Sequence, residues 1–299
     1  MNSLNHRAEL AIHSYLEGVV NNKSTFSSET ASQVAEDVRE AVLRQFNNTE
    51  PRKFRLRMSN VGRPYCQLWF EKNKPETAMP RPTTFVMNMI LGDIVEAVFK
   101  GILKEAKVEY QDSERVTLPL KNANIDGTYD LVIDEAVDDV KSASDWSYRN
   151  KFQSYEVLKD NDSFGYVAQL AGYAKATDKK PGGWWVINKA NGQFKYVPAN
   201  IDVDAEVQKI ENLVEKLEEN KFERCYEAKV ETFRGKETGN KVLCKECSFC
   251  DYRFSCWPNL QQRAAVKSQA KEPKMVDYVE LADEYVTNES IDFWRGRAS

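Results

Sequence analysis

The sequence lacks a long uninterrupted apolar run. Its most apolar stretch, Phe85 to Leu103, is broken by Asp93, Glu96 and Lys100, which excludes an ordinary membrane span. The opening residues Met1 to Leu10 carry Asn, His, Arg and Glu where a secretory signal would carry an apolar core, so a cytoplasmic protein without membrane partners is expected. An excess of positive charge is also missing, with 42 Lys and Arg against 46 Asp and Glu. A net charge of −4 argues against loose electrostatic coating of nucleic acid, yet acidic sites that a cation neutralises remain compatible with nucleic-acid chemistry. Internal repeats and low-complexity segments are absent.

What is present is ample for a folded core. With 299 residues, 41% of them hydrophobic, the chain suits one elaborated domain or two small ones. Apolar residues at helical spacing predict helices over residues 4–20 and 27–46, the second capped by Ser27 or Ser28. Similar spacing predicts helices from Thr84 to about Lys107, over 164–177 and from Val203 to Lys221. Short β-branched or aromatic runs predict strands at Val116–Leu120, Tyr129–Ile133 and Val137–Ser142. Two more, Trp184–Ile187 and Phe194–Val197, flank an Asn191-Gly192 hairpin turn. The order is helix, three strands, helix, two strands, helix.

The chemistry gathers around Gly127-Thr128-Tyr129-Asp130 and the following Asp139-Val140-Lys141. If Asp130 lies on one strand and Asp139 on its hairpin partner, both carboxylates can meet at one divalent cation. Lys141, two residues on, then shares the face of Asp139. Such a set suits phosphodiester hydrolysis, which needs charge compensation at the phosphate and an acidified water. Asp126 and Asp138 are neighbouring alternatives to the two aspartates. Glu96 interrupts an apolar helix and is either solvated at its margin or held inside by a cation. The alternating segment Arg52-Lys53-Phe54-Arg55-Leu56-Arg57 is the densest basic patch available for phosphates. Trp146, Tyr148, Tyr155 and Phe164 are either core residues or platforms for unpaired bases.

Six cysteines stand at positions 66, 225, 244, 247, 250 and 256, four of them within thirteen residues. In a cytosolic protein this density points to metal ligation rather than disulfides. Zn²⁺ can be satisfied locally by Cys244, Cys247, Cys250 and Cys256, whereas a larger iron–sulfur cluster can equally recruit Cys66.

Taken in order, these motifs resemble the PD-(D/E)xK nucleases of the RecB type, in particular iron–sulfur exonucleases such as the CRISPR-adaptation nuclease and related phage exonucleases. The resemblance rests on Ser59 to Cys66, Gly92 with Glu96, Gly127 to Asp130, Asp139 to Lys141, Gln169 with Tyr173, and the closing Cys247, Cys250, Cys256 triplet, spread over residues 59 to 257. It implies an α/β, restriction-endonuclease-like core, a mixed central sheet flanked by helices, with N-terminal helices and a C-terminal cysteine-cluster segment. The implied divisions are an N-terminal helical region 1–66, a nuclease core 67–222, a cysteine-rich segment 223–260 packing back on the N-terminal region, and a tail 261–299. Glu96, Asp130, Asp139 and the Val140 carbonyl would hold Mg²⁺ or Mn²⁺. Lys141 would stabilise hydroxide and developing phosphorane charge, and Gln169 and Tyr173 would contact substrate.

Cys66, Cys247, Cys250 and Cys256 would bind a 4Fe-4S cluster, with Zn²⁺ the less favoured occupant and Cys244 spare or a substitute. Glu96 departs from the histidine of many relatives and favours hard cations. The implied partner is DNA with single-stranded character or free ends, met in a bacterial or phage-infected cell, and the implied activity is exonucleolytic. A catalytically weak DNA-binding or assembly protein with a structural Fe-S or Zn site is the alternative.

Overall fold

The computed structural model describes residues 6–47 and 53–283. Leu4 and Asn5 of the first expected helix, Arg52 of the basic segment and residues 284–299 of the tail lie outside them. In chain order the elements begin with helices α1 (Arg7–Val20), α2 (Ser28–Phe46), α3 (Tyr65–Asn73) and α4 (Thr84–Glu105). Strands β1 (Gln111–Asp112), β2 (Arg115–Pro119), β3 (Asn124–Thr128), β4 (Leu131–Ile133) and β5 (Ala136–Ala143) follow. Next come α5 (Tyr155–Asp160), α6 (Tyr166–Thr177), β6 (Lys180–Asn188), β7 (Phe194–Pro198) and α7 (Val203–Glu219). Strands β8 (Lys229–Phe233) and β9 (Lys236–Val242), helix α8 (Arg253–Cys256), and strands β10 (Gln261–Ala264) and β11 (Met275–Glu280) complete the set. Among the described residues, no helix is long and apolar enough to cross a membrane.

The chain divides into two compact units. One contains the described residues up to Arg63 together with Arg81–Glu219, and the other Pro64–Pro80 together with the described residues from Asn220 onward.

The first unit is a mixed α/β fold around a mixed five-stranded sheet of order β1-β4-β5-β6-β7, flanked by helices. Strand β5 pairs parallel with β6 and antiparallel with β4, so it is central and covered on both faces. Val137 and Trp184 join one apolar cluster with Leu158 of α5, Val167, Leu170 and Tyr173 of α6, and Ile210 and Val214 of α7. Val140 and Trp185 join the other, with Ile12 of α1 and Phe99 and Leu103 of α4. Trp184 and Trp185 are fully buried, each worth up to roughly 4–6 kcal/mol of apolar burial. The tight β4–β5 turn is made by Asp134 and Glu135, both at positive φ (52° and 59°), the twist that a two-residue hairpin requires. The expected Asn191-Gly192 turn forms between β6 and β7, with Gly192 at φ 75°. Ser27 caps α2 by accepting the Thr30 amide at 3.2 Å.

The second unit holds α3, α8, a short 3-10 turn at Cys247–Phe249 and a four-stranded antiparallel sheet of order β10-β11-β9-β8. Its apolar cluster gathers Phe70, Leu243, Tyr252, Trp257 and Leu260 around Cys244, Cys247 and Cys256.

Candidate active site

The β4–β5 hairpin has the register that the carboxylate pair needs. Leu131 lies opposite Asp138, Val132 opposite Val137 and Ile133 opposite Ala136, so Asp130 at the mouth of the hairpin faces Asp139. The Val140 amide donates to Asp130 Oδ2 at 2.7 Å, fixing that carboxylate across the ladder. Lys141 Nζ lies 2.5 Å from Asp139 Oδ2 in an ion pair. Glu96 enters from α4, and Lys100, one turn further on, bridges it to Asp112 with both contacts at 2.9 Å. Tyr173 enters from α6, its hydroxyl accepting from Gln169 Nε2 at 3.4 Å.

The electrostatics tie these groups into one site. Burial and the neighbouring Asp139 push Asp130 up to about 7, against the pull of Lys141 and the Val140 amide. Burial also raises Asp139, with Lys141 pulling back and Glu96 adding to the rise. Glu96 is raised by burial and by Asp130. Burial opposes the charge on Lys141, but Asp139 and Asp130 outweigh it, so the lysine stays protonated more firmly than usual. Tyr173 is raised by burial and further by Asp139 and Asp130.

Gly127 belongs to the site for a steric reason. A Cβ there would stand 2.5 Å from the Met58 side chain and 2.7 Å from the Tyr173 ring, so only glycine lets that ring reach the carboxylates. Gly92 has open space around its missing side chain.

The neighbouring aspartates are spoken for. Asp138 points into the apolar cluster on the opposite face of β5, where Tyr196 Oη donates to it at 2.8 Å and Trp185 Nε1 at 3.1 Å. Asp126 sits on the β2–β3 ribbon and accepts from Arg115 at 2.9 Å and Thr117 at 2.8 Å. Asp130 and Asp139 are therefore the pair that the fold brings together.

The donor chemistry suits a hard divalent cation. Three carboxylates raise one another's affinity for positive charge, and Asp139 Oδ2 is buried without an aligned hydrogen-bond donor. Among the described residues, no three His, Cys, Asp or Glu side chains close to the spacing of a bound ion, and Lys100 and Lys141 supply the compensating charge.

A basic cavity of about 630 Å³ opens along the same helix. It is lined by Arg44, Lys53, Arg55, Arg57, Phe54 and Met89. Met89, Asp93 and Glu96 stand four and then three residues apart on α4, so the cavity lies about 10 Å along one helical face from Glu96. Asp93 anchors its rim through Arg44 at 3.2 Å and Gln45 at 3.0 Å. Of the aromatic candidates, Tyr155 is core, Tyr148 packs against the core, and Trp146 and Phe164 are exposed.

In the second unit no disulfide joins any of the six cysteines. The Cys247 amide donates to the Cys244 carbonyl at 3.2 Å and the Cys250 amide to the Cys247 carbonyl at 3.0 Å, turning the segment back on itself. Cys66 on α3 raises the pKa of Cys247, Cys250 and Cys256 through its charge, although burial is the larger cause in each, and Cys250 reaches about 11. The four cysteines of the expected ligand set thus lie near one another, although among the described residues no three close to the spacing of a bound ion. Cys244 joins through Cys247, and Cys225 through Cys66, whose amide donates to Cys225 Sγ at 3.0 Å. Cys225 has no motif spacing and was not among the expected ligands. Lys100 was also missed, although its place four residues after Glu96 is the ordinary spacing of a helical ion pair.

No protein-family model matches the chain, and no curated protein does. Among solved structures the chain is similar to SSO0001, at a TM-score of 0.40 and 12% identity, covering 78% of this chain and 96% of that one. Likeness at that level is too distant to carry a fold family or a function.

Proposed function

We propose that the protein is a metal-dependent deoxyribonuclease of the PD-(D/E)xK kind with a restriction-endonuclease-like core, acting as an exonuclease on DNA. The observation that carries this reading is the meeting of Asp130, Asp139 and Lys141 across one hairpin, electrostatically coupled to Glu96 and Tyr173. Glu96, Asp130, Asp139 and the Val140 carbonyl would hold Mg²⁺ or Mn²⁺, which supplies Lewis acidity and an acidified water when bound. The raised pKa of Lys141 suits a permanent cation that stabilises hydroxide and phosphorane charge, and does not suit a general base. Tyr173, protonated well above neutral pH, donates toward the phosphate with Gln169 holding its orientation. The basic cavity accepts flanking phosphates.

Cys66, Cys247, Cys250 and Cys256 would hold a 4Fe-4S cluster. Cys66 acts on the other three through its charge, and the choice of a cluster over one Zn²⁺ rests on the ligand set that the resemblance implies. The test is digestion of end-labelled linear and circular DNA with Mg²⁺ or Mn²⁺, against an EDTA control. Cation-dependent shortening from the ends of linear DNA is expected. DNA binding without cleavage under either ion overturns the nuclease reading in favour of a binding or assembly protein.

A further inference from the structure

Three rings form a near-parallel series from the core to the surface of the first unit. Phe152 and Tyr166 stand 5.9 Å apart at 25°, and Tyr166 and Phe164 stand 5.8 Å apart at 15°. The inner ring is 3% exposed and the outer ring 46% exposed, so the series ends on an open π-face. The middle ring touches the candidate active site: Lys141 Nζ is 4.9 Å from the Tyr166 ring centre. A second lysine lies beside the middle and outer rings, Lys151 Nζ being 4.4 Å from the Tyr166 centre and 4.7 Å from the Phe164 centre.

The turn that presents Phe164 is firmly built. Asp162 accepts from the Gly165 amide at 2.9 Å and from the Val167 amide at 2.8 Å, closing the loop onto the start of α6. Gly165 has φ 81°, and a Cβ there would lie 2.4 Å from Gly62 Cα, so two glycine backbones lock the loop in place. Lys151, 3.9 Å from Asp162, ends the single π-turn Ser147–Lys151 that follows β5. Such turns concentrate at functional sites. The loop therefore holds an aromatic ring out to solvent, bordered by the buried Lys151, next to the lysine proposed to act on the phosphate.

Resting on the nuclease reading, we propose that Phe164 is a stacking platform for an unpaired nucleobase next to the scissile phosphate, with Tyr166 backing it and the buried Lys151 packed against both rings. The ring matches the π-face that every base presents, and the Lys141 ammonium beside Tyr166 matches the strand's charge. A base paired within a duplex keeps its faces stacked on its neighbours, so the platform selects single-stranded or frayed ends.

The experiment uses a single-stranded oligodeoxynucleotide carrying 2-aminopurine, titrated with the full-length protein in EDTA so that nothing is cut. Wild type and Phe164→Trp are expected to quench the fluorescence. Phe164→Ala and Phe164→Leu are expected to lose the quench and to bind about five-fold or more weakly. With Mg²⁺, the same two variants should lose preference for single strands over blunt duplex, with KM rising more than kcat falls. Phe164→Leu retaining both the quench and the preference overturns the proposal, since apolar bulk would then suffice. Wild type assayed with Mg²⁺ or Mn²⁺ separates the two claims. Quenching that depends on Phe164 in a protein that never cuts refutes the nuclease reading alone, and cleavage that ignores Phe164 refutes the platform alone.

Discussion

Asp138 offers a test of which face of β5 carries the chemistry. Its carboxylate is 1% exposed and accepts from Tyr196 and Trp185, and burial nonetheless pushes it from an ordinary 3.8 up to about 7. An acid with a raised folded pKa holds its proton longer when folded. Its contribution to stability is therefore complete below its unfolded pKa and is lost as pH rises through the folded one. Between about pH 5.5 and pH 8 the unfolded carboxylate stays ionised, while the folded one must lose its proton near 7. Integrating the linkage gives a loss of about 2 kcal/mol from this single group. Urea unfolding in EDTA at the two pH values should show that loss in the wild type and not in Asp138→Asn, whose side chain does not titrate. Asp130 also titrates near 7, but it does so in both proteins and cancels in the comparison. Identical pH dependence in the two proteins would refute the burial argument.

Other perturbations follow from the same geometry. Gly127→Ala should destabilise the first unit by about 1–3 kcal/mol, read from the urea midpoint, because its Cβ meets Met58 and Tyr173 well inside contact distance. On the proposed cluster reading, Cys66→Ser should lower the iron and acid-labile sulfide measured in the purified protein, whereas Cys225→Ser should leave both unchanged, and wild type carrying zinc without iron would overturn the cluster. Replacing Lys53 and Arg55 together with alanine should reduce the salt dependence of DNA affinity, lowering the log–log slope by up to about two. An unchanged slope would remove the cavity from the DNA path.

Helix periodicity and the Asn191-Gly192 turn were legible in the sequence because amphipathic spacing and turn chemistry are local. The choice between Asp138 and Asp139 was not. Strand β5 is covered on both faces, so its sequence carries no alternation to say which side chains point where. Strand β3, Asn124–Thr128, escaped notice because its polar residues and glycine read as loop, and only pairing with β2 makes it a strand. The tail gave no sign that Met275–Glu280 would pair with β9 and β10. Strand pairing at such sequence distance leaves no local mark. Phe164 and Lys151 show the same limit, since nothing in a sequence says that a lysine will be buried against an aromatic ring.

The central claim is that Lys141 and the aspartates beside it form one hydrolytic site. Its most direct test is the single-turnover cleavage of end-labelled DNA by wild type and Lys141→Ala, with Mg²⁺ at saturating enzyme. The account predicts DNA binding close to wild type and a cleavage rate lower by about a hundred-fold or more, the usual cost of removing one charge-stabilising donor. A Lys141→Ala protein that cuts at the wild-type rate would contradict it.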